Sequence, residues 1–485
     1  MEPGEMVDLF HACDLEAMEA LLDPCFLKSL SALGTRLHKE PPPRLVLAGA
    51  GTSGRLAYLL AERHRDALRR LGVELIPWIA GGPKALCLPV EGAEDDSLAA
   101  KRSLGNLLGD DGFFVGISCG LSAPAVAGGM AEAMTRGLGL AIFGTNEPRL
   151  ARKDPFPGLP EGFFGVLQKA VERGDSFVLT PDTGPEALTG SSRMKGGTST
   201  LVAFDVLFES LSEGNLGTQS LGNRIESLRS LVKESFSLNR SSLVDALRAA
   251  GKALREGGQV LYWGKGEAGL AGVLDASECT PTFGAEPNQV RAYLEEGWGA
   301  YRCLDEDQRK KLTASFPLRM SPALIGSGEK PLFALLLGGA HPPSSLSNSL
   351  EKWDVSLLRV DLADLLPTKL FLNSLSTGAF VLAGKVYQNR MIDLQLSNSK
   401  LFQRAQRIVA DLAGVPQSEA LRSIVGAIHG VYPPSVALLR LPVEAHLQIK
   451  AHRVVPTAVL LARGLDLAEA KQRLEKEPRV GLLME

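Results

Sequence analysis

No segment of this sequence is strongly basic, none reads as a membrane span, and cysteine and histidine are few and dispersed. The formal net charge is −3, so the electrostatic footprint of a nucleic-acid binder is missing. No apolar run approaches the ~20 residues that cross a bilayer. The opening residues, Met1-Glu-Pro-Gly-Glu5, are acidic and lack the basic-then-apolar order of an export signal. Six cysteines (Cys13, Cys25, Cys87, Cys119, Cys279 and Cys303) show no paired spacing. That pattern argues against a disulfide framework and for a reducing compartment, the cytosol or nucleus. The seven histidines form no cluster with cysteine, so neither a metal nor another cofactor is expected.

Glycine is plentiful, with 51 residues, and its placement is informative. In Arg44-Leu-Val-Leu-Ala-Gly-Ala-Gly-Thr-Ser-Gly-Arg55 a short apolar run suits a buried parallel strand. Gly49, Gly51 and Gly54 then permit a sharp turn and a close backbone approach to a ligand. Thr52 and Ser53 add hydroxyls that could cap the helix expected to begin near Arg55. Strand, hydroxyl-bearing turn and helix N-terminus together make an anion site, and a phosphate is the expected anion. The glycines also match a dinucleotide fingerprint. That reading needs an acid closing the next strand, but the run Val73–Ile79 ends in Ala80-Gly-Gly-Pro83.

The first loop has an echo in Val260-Leu-Tyr-Trp-Gly-Lys-Gly-Glu-Ala-Gly269, and Met194–Leu207 has a weaker one in Thr368–Val381. Two related α/β domains in tandem are the simplest reading, with parallel sheets flanked by helices in three layers. In the second loop Glu267 and Ala268 replace the Thr/Ser pair, and a carboxylate there would repel phosphate. One phosphate site per chain is therefore expected, in the first copy. The helix-prone stretch Leu221–Leu254 joins the copies, and helical periodicity dominates after Asp393. The expected division is 1–43 (capping helices and a spacer, Thr35–Pro43), 44–220 (first domain), 221–395 (second domain) and 396–485 (a helical lid).

Two further loops fit an anion pocket. Ser118, Cys119, Gly120 and Ser122 follow the run Phe113–Ile117 at the carboxyl end of the sheet, where open α/β sheets bind ligands; alone they would read as a helix cap. Ser191, Ser192, Arg193 and Lys195 precede a helix expected to start near Thr198, and cations with hydroxyls again suit an anion. Two carboxylates complete the set. Glu94 sits at a turn opening a helix, and Glu278 lies near a helix end. Each could be an ordinary capping residue, or the two could share a sugar pocket as base and acid.

Taken together, Gly49–Leu56, Glu91–Asp95, Gly184–Lys195, Asp275–Gly284 and Leu375–Lys385 resemble the sugar isomerase (SIS) domain family. The resemblance lies in the branch that holds N-acetylmuramic acid 6-phosphate etherase and glucokinase regulatory protein. Tandem domains with a helical tail are similar to the regulator, as are Gly116–Pro124 and Ile392–Phe402. The resemblance implies two SIS domains and a lid. It implies one phosphorylated-hexose pocket in which Gly51, Thr52, Ser53, Ser118, Cys119 and Gly120 hold phosphate, with Ser122, Ser191 and Ser192 in the wall. Glu94 and Glu278 would meet sugar hydroxyls, and Lys400 would reach in from the lid. It also implies fructose 6-phosphate or fructose 1-phosphate as ligand, glucokinase as partner, and a monomer containing an internal pseudo-dimer. The alternative is the etherase, with Glu94 removing the C2 proton and Glu278 protonating the departing lactate. A ketose–aldose isomerase of the same fold is a third reading.

Overall fold

The computed structural model describes the chain except residues 91, 320–331, 342–354, 361, 363, 395, 397, 478–479 and 485, and the side chains of 355, 400, 481 and 484. The first apolar run forms β1 (Arg44–Gly49), part of a parallel sheet with β2 (Glu74–Ile79), β3 (Phe113–Ile117), β4 (Gly139–Phe143) and β5 (Phe177–Leu179). The order is β2-β1-β3-β4-β5. β3 is buried at every position because helices cover both faces, which explains its uninterrupted apolar run. On one face α4 (Ser97–Leu108), α5 (Pro124–Thr135) and α6 (Gly162–Arg173) close a core around Phe114, Ile142 and Phe163. α3 (Thr52–Arg69) and α7 (Lys195–Glu213) cover the other. β1 has β2 on one side and β3 on the other, so the chain changes direction there. A crevice therefore opens at the carboxyl ends of β1 and β3.

The long α8 (Thr218–Arg255) leads to the second copy. Among the described residues this copy includes β6 (Gln259–Gly264), α9 (Gly266–Phe283), β7 (Val290–Leu294), α10 (Glu306–Ser315), β8 (Leu332–Leu337), β9 (Val355–Val360) and α11 (Leu365–Leu382), followed by a short antiparallel hairpin of Val386–Tyr387 and Arg390–Met391. Its sheet is again parallel, ordered β7-β6-β8-β9. The copies face each other through α3 and α7 on one side and α9 and α11 on the other. One apolar core runs from the inner face of the first sheet through these helices to Val260, Phe333 and Leu335 of the second. N-terminal α1 (Pro3–Glu19) and α2 (Pro24–Lys39) pack on α7 and α8. The spacer is shorter than expected. Arg36, His38 and Lys39 suit a helix C-terminus, so α2 runs on to Lys39.

α11 corrects the expectation that nothing approaches a membrane span. It has 18 residues and is apolar enough by composition to cross a bilayer, but 89% of it is buried inside the fold. Buried polar residues mark its position between protein layers. Lys369 Nζ donates to Thr198 Oγ1 at 2.8 Å, and Ser376 Oγ donates to Asp275 Oδ1 at 2.9 Å. The C-terminal residues form a separate helical unit of α12 (Ser399–Ala413), α13 (Gln417–His429), α14 (Val436–Leu439), α15 (Val443–Leu447), α16 (Val454–Ala462), α17 (Leu467–Lys476) and α18 (Val480–Met484). Its own core is centred on the mostly apolar stretch of α16, which holds one buried threonine, Thr457, together with Ile424 and Phe402. None of the six cysteines is bonded to another.

Candidate functional site

At the crevice the first loop adopts a geometry that only glycine permits. Gly51 has φ +53°. A Cβ on Gly49 would lie 2.6 Å from the Gly54 amide nitrogen, so strand and helix meet backbone to backbone. The helix begins at Thr52, not near Arg55, because the conformational break falls at Gly51, the N-cap. Thr52 and Ser53 are therefore not caps. They lie in the first turn, where N–H groups lack intrahelical partners and the helix dipole favours an anion. Both hydroxyl side chains are buried and line the cavity.

The second wall is the turn after β3. The amide of Ser118 is held in the sheet by the Phe143 carbonyl (2.9 Å), so this amide is not free to donate to a ligand. Ser118 Oγ accepts from the amides of Ser122 (3.1 Å) and Ala123 (3.3 Å), so it braces the turn before α5, which itself has no side-chain cap. Its hydroxyl hydrogen still offers a bond. Cys119 Sγ lies 3.9 Å from Ser53 Oγ and 3.8 Å from Thr200 Oγ1, which ties the first two loops to α7. Gly120 and Ser122 complete this wall.

Ser191 and Ser192 form the third wall. Ser191 Oγ is buried against the cavity and has no hydrogen-bond partner among the described residues. An orphaned buried hydroxyl costs free energy until something binds it. The cations beside it act otherwise than expected. α7 starts at Lys195 rather than Thr198, and Glu186 accepts from its first amides, Lys195 (2.8 Å) and Gly196 (2.9 Å). The Lys195 ammonium turns to Glu16 of α1 (2.8 Å). Arg193 is buried against Asp275 of the second copy (3.2 Å), Ser376 and Thr377. Both pack one part of the chain against another, and Arg193 also lines the cavity. Burial dominates the titration here. It raises Glu186 to about 7 and Asp14, bonded to Thr198 Oγ1, to about 6, and it lowers Lys369 to about 8.

Glu94 and Glu278 come from different copies and line the same cavity, whose volume is about 170 Å³. That is room for roughly ten water-sized groups, enough for a small polar ligand. Glu278 is buried and bonded to the Arg55 guanidinium, whose Nε donates to the Leu86 carbonyl (3.3 Å). Asn398, Leu401 and Arg404 of the helical unit close the top. The Lys400 side chain and Glu91 lie outside the described residues. Reasoning from sequence missed two residues. Asp95 Oδ2 accepts from the Ser399 amide (3.2 Å) and hydroxyl (3.3 Å), pinning the start of α12. The Arg404 guanidinium lies over Gly190, where a Cβ would come within 2.5 Å. Burial and the neighbouring Arg407 lower the Arg404 pKa, and Glu94 opposes them. The helix N-terminus signal at Asn398 could have pointed to the first; only tertiary placement identifies the second.

The second copy keeps the glycine geometry, with Gly266 at φ +54° and a Gly264 Cβ position 2.5 Å from Gly269 Cα. By that spacing Glu267 stands where Thr52 does. Its carboxylate is bonded to Arg63, which also holds Asp205 at 2.7 Å.

Comparison with known proteins agrees with this architecture. Family models match residues 28–134 (glucokinase regulatory protein N-terminal SIS domain), 238–314 (glucokinase regulatory protein, second SIS domain) and 388–484 (C-terminal lid domain of glucokinase regulatory protein). The chain is 31% identical to the glucokinase regulatory protein of Rattus norvegicus, over 97% of this chain and 87% of the relative. For the Homo sapiens protein the figures are 30%, 91% and 80%. An N-acetylmuramic acid 6-phosphate etherase of Enterobacter sp. is 30% identical over 54% of this chain and 89% of its own length.

Proposed function

Because this chain belongs to the glucokinase regulatory protein family, we propose that it is a phosphosugar-responsive regulator of a glucokinase-type hexokinase, working in the cytosol or nucleus. Its ligand is a phosphorylated ketohexose, fructose 6-phosphate or fructose 1-phosphate. Phosphate sits on the first turn of α3, among Gly51, Thr52, Ser53, the 118–122 turn, Ser191 and Ser192. The sugar extends toward Glu94 and Glu278. The observation that carries this reading is the closure of the cavity by Asn398, Leu401 and Arg404 of the lid, with Asp95 fastening that lid to the turn that bears Glu94. A ligand in such a cavity touches both domains and the lid at once. If kinase binding prefers one lid arrangement, the ligand must change kinase affinity by the matching factor, typically ~1–3 kcal/mol. The test is inhibition of glucokinase by this protein with and without each sugar phosphate. Ligand-dependent inhibition supports the regulator, and no effect on the kinase under any condition refutes it.

A second reading is the etherase, favoured by the presence of Glu94 and Glu278 in one cavity. The carboxyl assigned to protonate the leaving lactate is, however, the one bonded to a buried guanidinium, an arrangement suited to accepting hydrogen bonds rather than giving a proton. The expected result is no lactate release from N-acetylmuramic acid 6-phosphate. Turnover abolished by Glu278→Gln would establish the enzyme instead.

A further inference from the structure

α3 and α9 cross antiparallel at the interface of the copies, and two ion pairs fasten the crossing. Arg55, early in α3, reaches Glu278, late in α9; Glu267, early in α9, reaches Arg63, late in α3. The glycine spacing makes Arg63 the counterpart of Glu278 and Glu267 the counterpart of Thr52. Arg55 itself falls opposite Leu270, so the pairs are not copies of one another but two separate clasps on the same crossing, in different surroundings. Arg55 and Glu278 are both buried and face the cavity, whereas Arg63 and Glu267 are partly exposed and stand outside its lining. If these pairs only held the domains together, the Arg55 pair would have no reason to lie in the ligand cavity.

We infer that Arg55 is the residue that gives the cavity its preference for a hexose over bare phosphate, acting through Glu278. The inference rests on the phosphosugar reading and deepens it. Arg55 is held by the Leu86 carbonyl and grips Glu278, which fixes the carboxylate as an acceptor for sugar hydroxyls beside the phosphate turn. A pre-set, partly desolvated acceptor discriminates strongly between a ligand that supplies hydroxyl donors and one that does not. Arg55 is a positioning residue and Glu278 the contact. The phosphate turn itself does not depend on the pair.

The experiment is calorimetric titration with fructose 6-phosphate and, separately, inorganic phosphate, on wild type, Arg55→Lys, and the double variant Arg55→Met with Glu278→Met. Glu267→Gln is the control, since it weakens the other pair, which lies outside the cavity. Lysine keeps the charge but not the planar fork, and the double variant removes both buried charges together, which spares the fold an unpaired one. The expected result is a loss of about tenfold or more in hexose phosphate affinity in both test proteins, with inorganic phosphate affinity and the control unchanged. Equal loss for both ligands, or wild-type hexose affinity in both test proteins, overturns the inference. Failure of wild type to bind any hexose phosphate defeats the phosphosugar reading itself, and the inference falls with it.

Discussion

At the residue scale the cavity asks for something that none of its described residues supplies. Ser191 Oγ is buried and without a hydrogen-bond partner among the described residues, so Ser191→Ala should raise the melting temperature of the ligand-free protein by removing that desolvation cost. It should still weaken sugar phosphate binding by about 0.5–1.5 kcal/mol, the net worth of one hydrogen bond, as read by calorimetry. Glu186 makes a pH prediction. Burial raises its pKa from 4.5 to about 7, so the folded state favours the neutral acid. Stability from this group is fully present below about pH 4.5 and is lost as pH rises toward 7. Wild type should therefore lose stability relative to Glu186→Gln across that interval, measured by thermal melts of both proteins at each pH; parallel curves would refute the assignment. Residue type alone could not have shown where these groups point. Arg193 and Lys195 read as anion ligands because charge density is visible in a sequence. Their partners, Asp275 and Glu16, are not.

At the scale of elements, the phosphate turn was legible because every signal for it is local: an apolar strand, glycines at a fixed spacing, hydroxyls, then a helix. Its start at Thr52 rather than Arg55 follows from a single positive φ that glycine content suggests but does not place. The lid contacts were opaque. Asp95 and Ser399 are 304 residues apart, and no local pattern links them. Asp95→Ala removes the group that satisfies the first amide of α12 and should loosen the lid by about 0.5–2 kcal/mol, as cap losses do. The expected sign is weaker ligand binding and faster amide exchange confined to the lid. Packing between elements sets another test. A Cβ on Gly378 of α11 would fall 2.2 Å from Leu247 Cδ1 in α8. Gly378→Ala should then cost about 1–3 kcal/mol in chemical denaturation through overpacking, and an unchanged midpoint would show that the helices can separate freely.

At the scale of the whole molecule, the tandem copies bury against each other the helices α3, α7, α9 and α11 in one continuous core. A chain that contains its own pseudo-dimer has this face covered already, so light scattering after size exclusion should give a monomer; an obligate dimer would contradict it. The repeat was readable from two echoes in the sequence, and so was its asymmetry, because Glu267 stands in the place of a hydroxyl. What the sequence did not disclose is that this carboxylate is gripped by Arg63, with the glycine turn intact around it. The most direct measurement is a calorimetric titration of fructose 6-phosphate into wild type and into Thr52→Glu, which copies the second loop into the first. One ligand per chain in wild type and none in the variant is the predicted result. Two ligands per chain, or undiminished binding by Thr52→Glu, would contradict a single phosphosugar site in the first copy.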